Sequence, residues 1–184
     1  MSTTKSDAIT ILCAAALMMS CGSEDSEWLE TKRNDSDEAY LAFIKEHPDD
    51  KHIEQARTRL ETNNFKRTQK QNTIEAVEAF IARFPDGLFS EEAQNKLQLM
   101  YYVKAERTNT GDAYKAFLER FPSGKYADKA IAALAPFELA EIAYDGNIEA
   151  FEVFLKRHPT GKSSDRARRL MEKLIAMRDA EAAK

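Results

Sequence analysis

Cysteine is scarce in this chain, and its position limits the possible chemistry. Only Cys13 and Cys21 occur among the 184 residues, so no cysteine lies between position 22 and the last residue. The long remainder can therefore form no internal disulfide. It also offers no reactive thiol for nucleophilic catalysis.

Other catalytic and nucleic-acid-binding signatures are missing too. With six glycines there is no glycine-rich phosphate loop, and the serines fall in predicted caps, turns and a polar tether. The net charge is −4, and lysines and arginines are interleaved with acidic residues rather than gathered into a basic stripe. We therefore expect a non-enzymatic protein that does not bind nucleic acid and needs no cofactor.

The longest apolar run is Ala8–Met19, which is too short to cross a bilayer. It follows Lys5 and suits the core of a signal peptide, which we place at residues 1–20. The sequence Leu17-Met18-Met19-Ser20-Cys21 resembles a bacterial lipobox. That resemblance implies lipidation of Cys21 and, because Gly22 follows, an outer-membrane location on the periplasmic side. The alternatives are a secretory signal that happens to contain a cysteine, and an apolar N-terminal segment without export.

The rest of the chain is organised by a repeat of 37 residues. Residues 76–87 have counterparts one period earlier and one and two periods later, without gaps. A fixed period of this size is typical of repeat architectures. We predict an all-α solenoid of four helical hairpins over residues 36–184, with repeats at 36–72, 73–109, 110–146 and 147–184.

Each repeat carries signals for two helices. A residue able to cap a helix begins each copy, at Ser36, Thr73, Thr110 and Asn147. A proline ends the first helix, at Pro48, Pro85, Pro122 and Pro159. A column of alanines in the second helix, Ala56 and its three equivalents, predicts close packing. Pro136 is expected to kink or split the second helix of the third repeat.

Residues 21–35 are predicted to contain the lipidated cysteine, a polar tether and a truncated helix. Trp28 lies one period before Phe65 and so falls in the register of a second helix. We interpret Glu27–Arg33 as a short helix that covers the edge of the first full repeat, because solenoid ends need such capping.

The repeated residues resemble tetratricopeptide-like helical repeats. Each copy has the Phe–Ile/Leu–x–x–Phe/His–Pro string, as in Phe80 to Pro85, which is similar to repeats of bacterial envelope lipoproteins of the outer-membrane β-barrel assembly lipoprotein D type. The resemblance implies a helical scaffold that binds proteins. The shared alanine–phenylalanine pairs are Ala39/Phe43, Ala76/Phe80, Ala113/Phe117 and Ala150/Phe154.

The histidines favour structure over metal binding. His47 and His158 occupy the column of Phe84 and Phe121, where they replace a packed aromatic ring. His52, with acidic neighbours, is a weak metal candidate because no second cluster of ligands supports it. We predict no metal site.

Two features are candidates for partner binding. Arg83, Arg120 and Arg157 recur one repeat apart, which predicts a ladder of cations for an acidic partner; the alternative is a solvated helix face. Leu174 and Ile175 belong to a last helix with an apolar face that either meets a partner or closes onto the preceding helix.

These features predict a non-catalytic interaction scaffold of the bacterial cell envelope. Its expected partners are other envelope proteins or peptides, and the membrane through the lipid on Cys21. The alternatives are a soluble periplasmic or secreted peptide-binding module, and a regulatory accessory subunit of an envelope enzyme. The repeat pattern specifies no oligomeric state.

Replacement of Cys21 tests the anchor directly. Cys21→Ser removes the thiol that would carry the acyl chains, each buried methylene of which contributes ~0.8 kcal/mol to membrane binding. We expect the variant to lose its processing and to leave the membrane fraction, measured by fractionation and by gel mobility. A variant that stays in the membranes and is still processed would contradict the lipoprotein interpretation.

Overall fold

The computed structural model describes residues 25–184, and within that range every regular element is an α-helix. The chain divides into two compact units, one ending at Ala93 and the other covering Gln94–Lys184. Helices pack on helices within each unit, as in a helical repeat protein. The predicted signal peptide at residues 1–20 and the lipidation site Cys21 lie outside the described residues.

Short and long helices alternate along the chain. The first described helix, α1, covers residues 25–34, and the short helices after it have ten residues each. The short helices are α2 Asp37–Glu46, α4 Ile74–Arg83, α6 Gly111–Arg120 and α8 Ile148–Arg157. The long helices are α3 Ile53–Gln71, α5 Ser90–Thr108, α7 Ala127–Asp145 and α9 Lys162–Ala182.

The short helices begin where the cap signals predicted. The side-chain oxygen of Ser36 accepts a hydrogen bond from the Ala39 N–H at 3.1 Å, and Thr73 and Thr110 make the equivalent bonds. Asn147 accepts from two backbone N–H groups at the start of α8. Each cap satisfies donors that the first helical turn leaves without a partner.

A second column, not identified from the sequence, ends the helices before these caps. The backbone of all its members is in the left-handed region. Glycine adopts this conformation without steric strain, and aspartate and asparagine adopt it more readily than other residues with side chains. A two-residue link therefore joins each of these helices to the next one. The four residues and their φ angles are Asp35 (50°), Asn72 (49°), Asn109 (48°) and Gly146 (64°).

Pro136 does not split its helix, contrary to one of the two predicted outcomes. It lies inside α7, which is assigned as helix without interruption from Ala127 to Asp145. The proline removes the donor for the Ala132 carbonyl, but Pro136 and Ala132 are both exposed residues. Water can satisfy that carbonyl, so the lost hydrogen bond is not buried.

The core of the first unit is built around aromatic rings. Trp28 is 3% exposed and contacts Tyr40 and Phe43, so α1 is held against α2. Its ring stacks on His52 with centroids 5.0 Å apart. One repeat later Phe65 stacks on Phe89 in the same register, with centroids 4.5 Å apart.

The second unit repeats this arrangement. Tyr102 stacks on Tyr126 with centroids 5.2 Å apart and meets Phe117 edge-on. Ala130 and Ala167, two members of the predicted alanine column, are completely buried, which confirms close helix packing at those positions. A further cluster joins α7, α8 and α9 through Ala135, Leu139, Phe151, Phe154 and Ala167.

Truncation of a core phenylalanine should destabilise the fold strongly. Phe117 is 2% exposed, so Phe117→Ala should lower the free energy of unfolding by ~3–5 kcal/mol through lost burial and a cavity. Chemical denaturation monitored by circular dichroism measures this change. Tyr144→Ala is the matched control, because Tyr144 is 93% exposed and its loss should change little. Equal stability of the two variants would show that the assigned core position is wrong.

Candidate protein-interaction site

One concave surface of the second unit lies between the C-terminal half of α5 and helix α6. We call it the second-unit groove, and its volume is about 500 Å³. Phe117 is buried beneath it, while Ala116 is exposed within it. The other residues that line it are Tyr101, Lys104, Ala105, Thr108, Ala113, Glu119 and Arg120.

The groove exists because small residues line α6 where it faces α5. Ala113 and Ala116 lie one turn apart on the same helix face, so their methyl groups leave space that longer side chains would fill. On α5, Tyr101 and Lys104 are likewise one turn apart. The result is an apolar floor bordered by two cations and one carboxylate.

Arg120, one of the predicted partner-binding arginines, lies at the rim of this groove. Its guanidinium is 4.5 Å from the centre of the Tyr101 ring and 5.8 Å from that of Phe121. The rings and the cation attract each other, which orients the arginine along the groove wall. Lys104 is exposed, and among the described residues no acidic side chain forms an ion pair with it.

The first unit carries an equivalent groove between α1 and α2, with a volume of about 260 Å³. We call it the first-unit groove. Eight of its nine lining residues lie two periods of 37 residues before lining residues of the second-unit groove. Its lining consists of Glu27, Glu30, Thr31, Asn34, Ala39, Ala42, Phe43, Glu46 and His47.

Arg83 and Arg157, the other two predicted arginines, contact the long helix that precedes their own. Arg83 donates to the Asn64 side chain at 2.9 Å and lies 3.5 Å from Asp37. Arg157 forms an ion pair with Glu138 at 2.6 Å. Each arginine therefore contacts the residue nineteen positions earlier, as Arg120 does with Tyr101. We call each of these contacts between a short helix and the long helix before it a joint.

The histidines that replace aromatic rings, His47 and His158, also form polar contacts with the helix that precedes their own. His158 is buried, packs against Phe154 with ring centres 4.6 Å apart, and lies 2.6 Å from Glu138. His47 packs against Phe43 and lies 2.7 Å from Glu27. The predicted ring-packing role is confirmed, and the acidic partners are an addition that the repeat pattern did not indicate.

Leu174 and Ile175 are both partly exposed on α9. Leu174 packs against the buried cluster of α7, α8 and α9, together with Leu170 and Met171. The same helix exposes 64% of Met177. Much of the apolar face thus closes onto the core, and the residues towards the helix C-terminus remain at the surface.

Two tyrosines have raised pKa values. Burial and the hydrogen bond that its hydroxyl donates to Asp35, at 2.6 Å, raise the pKa of Tyr40 to about 12. The bonds from Tyr40 and Asn63 lower the pKa of the Asp35 carboxyl. Burial and a hydrogen bond to Glu106 raise the pKa of Tyr102. The bond from Tyr40 ties α2 to the link before it, and the bond from Tyr102 lies within α5; none of these groups lines either groove.

Within the described range no three histidine, cysteine or acidic residues are arranged to hold a metal ion. His52, the weak metal candidate, instead stacks on Trp28 and lies 2.9 Å from Asp50. None of the helices in residues 25–184 has the length and apolar character needed to span a membrane. No protein-family model and no curated protein sequence matches the chain.

Reversal of the Arg157 charge should weaken the joint between α7 and α8. Arg157→Glu places two carboxylates together at Glu138, which is only 12% exposed. Because Arg157 itself is 60% exposed, we expect a loss of about 1 kcal/mol in the free energy of unfolding, measured by denaturant titration. The matched control is Arg169→Glu, the same charge change at an exposed site on α9. A loss no greater than that of the control would mean that the ion pair does not stabilise the joint.

Proposed function

We propose that this protein is a non-catalytic scaffold that binds other proteins, built from four helical hairpins of the tetratricopeptide-like type. The observation that carries the proposal is the second-unit groove, which combines an apolar floor with charged residues at its rim. Binding sites for peptides and small ligands have this composition, because apolar contact supplies affinity and a few polar groups fix orientation.

The roles of the charged and polar residues also support binding rather than chemistry. The cap residues satisfy helix N-termini, and the arginines and histidines of the joints contact neighbouring helices. A catalytic site needs a nucleophile or base held within hydrogen-bond reach of an activating group, in a cleft. The two grooves instead present alanines, one phenylalanine each and charged rims.

We further propose that the scaffold works at the bacterial outer membrane, on the periplasmic side, and is anchored through Cys21. The support is the apolar run Ala8–Met19 and the lipobox-like sequence Leu17–Cys21, which overlaps the end of that run. A lipid anchor would keep the scaffold close to other envelope proteins and so raise their effective concentration.

Site-specific photocrosslinking in intact cells tests the scaffold function. A benzoylphenylalanine introduced at Ala116 places the reactive group inside the second-unit groove without displacing a buried side chain. We expect it to crosslink a protein partner that mass spectrometry identifies. The matched control is the same residue at Tyr144, an almost fully exposed aromatic position outside the groove.

Crosslinks at Ala116 that are absent at Tyr144 would support a specific binding groove. If neither position, nor a set of positions spread over both units, captures any protein, the scaffold function is wrong. Crosslinks equally strong at both positions would indicate nonspecific contact and would contradict a role for this groove.

A further inference from the structure

The two grooves share their framework but differ in charge. Ala42 and Phe43 in the first unit match Ala116 and Phe117 in the second, so the floors share these residues. At the rims, Glu30 is replaced by Lys104. Corresponding positions of the two grooves thus share part of an apolar floor and differ in the charge of the rim.

A second rim position changes in the same direction. Glu46, at the end of α2, corresponds to Arg120 at the end of α6. The first-unit rim therefore holds three glutamates, including Glu27, and its one basic group is His47, which is paired with Glu27. The residues that line the second-unit groove include two basic residues, Lys104 and Arg120, and one acidic residue, Glu119.

Lys104 is the group most able to recognise an incoming charge. It is exposed at the groove edge, its neighbour one turn earlier is Tyr101, and it takes part in no ion pair within the described part of the chain. An exposed ammonium beside an apolar floor can pair with a carboxylate while the neighbouring apolar side chain of the same ligand is buried. Such pairing sets specificity and rate of association more than affinity.

We propose that the second-unit groove binds an acidic peptide segment in which a carboxylate lies beside an apolar or aromatic side chain. The apolar side chain occupies the space above Phe117 and Ala116, and the carboxylate pairs with Lys104 at the rim. The first-unit groove repels the same segment through Glu30 and Glu46. This inference rests on the proposed scaffold function and names the class of partner.

Fluorescence anisotropy with the purified protein tests the inference. The probe is a short fluorescein-labelled peptide that combines glutamate with leucine and phenylalanine, and its counterpart has lysine in place of every glutamate. We expect the acidic peptide to bind and the lysine peptide not to bind. Binding should weaken as salt rises, because the rim charges are exposed to solvent.

Three variants locate the site. Lys104→Glu should weaken binding of the acidic peptide about tenfold through like-charge repulsion, and Lys104→Gln should have a smaller effect in the same direction. Ala116→Trp should abolish binding by filling the groove. Ala42→Trp is the matched control, since it fills the first-unit groove in the same register and should leave the affinity unchanged. All these positions are exposed, so the variants should fold.

The outcomes separate this inference from the scaffold function. Equal binding of the lysine peptide, an unchanged affinity in Lys104→Glu, or an equal loss in Ala42→Trp would each overturn it. A protein crosslinked at Ala116 in cells, combined with no binding of the acidic peptide, would leave the scaffold standing and reject the acidic specificity. Selective binding that Ala116→Trp removes and Ala42→Trp preserves would support the proposal.

Discussion

The contact between the last residue of a short helix and the long helix before it recurs in three of the four short helices, at Arg83, Arg120 and Arg157. In these three helices the partner is the residue nineteen positions earlier, which is an amide at Asn64, an aromatic ring at Tyr101 and a carboxylate at Glu138. The positions that meet at the joint are therefore the same in the three repeats, while the chemical group that the arginine contacts differs. A groove opens beside the joint where alanines face the long helix.

Much of the fold could be predicted because it depends on short-range signals that recur. Cap residues such as Thr110 and helix-ending prolines such as Pro122 act within a few residues. Their effect can therefore be predicted from the sequence of a single repeat. The left-handed column at Asn72 and Asn109 cannot be predicted in the same way, because asparagine also fits many other surface positions. Whether Pro136 splits α7 depends on the exposure of the carbonyl that it leaves without a donor, which the packing of α7 determines and the sequence does not.

The candidate site was less predictable for a physical reason. A groove is a space between helices, and its volume depends on how closely α5 and α6 approach, which sequence spacing does not give. The arginine column was visible, yet its members point at Asn64, Tyr101 and Glu138, partners that are not repeated residues. The sequence shows that Lys104 stands where Glu30 stands two repeats earlier, but it does not show that both residues lie at the rim of a groove.

The two-residue links that contain the left-handed residues are short, so they fix closely where the next helix begins. From residue 34 to Asp37, from Gln71 to Ile74, and again at the two later links, only a left-handed residue and a cap separate consecutive helices. An inserted or deleted residue there would change the geometry of the link and so shift the following helix against the helices it packs on. At these four links, length changes are therefore harder to accommodate than exchanges of side chains at fixed positions. The difference between Glu30 and Lys104, at corresponding positions of the two grooves, is an exchange of this kind.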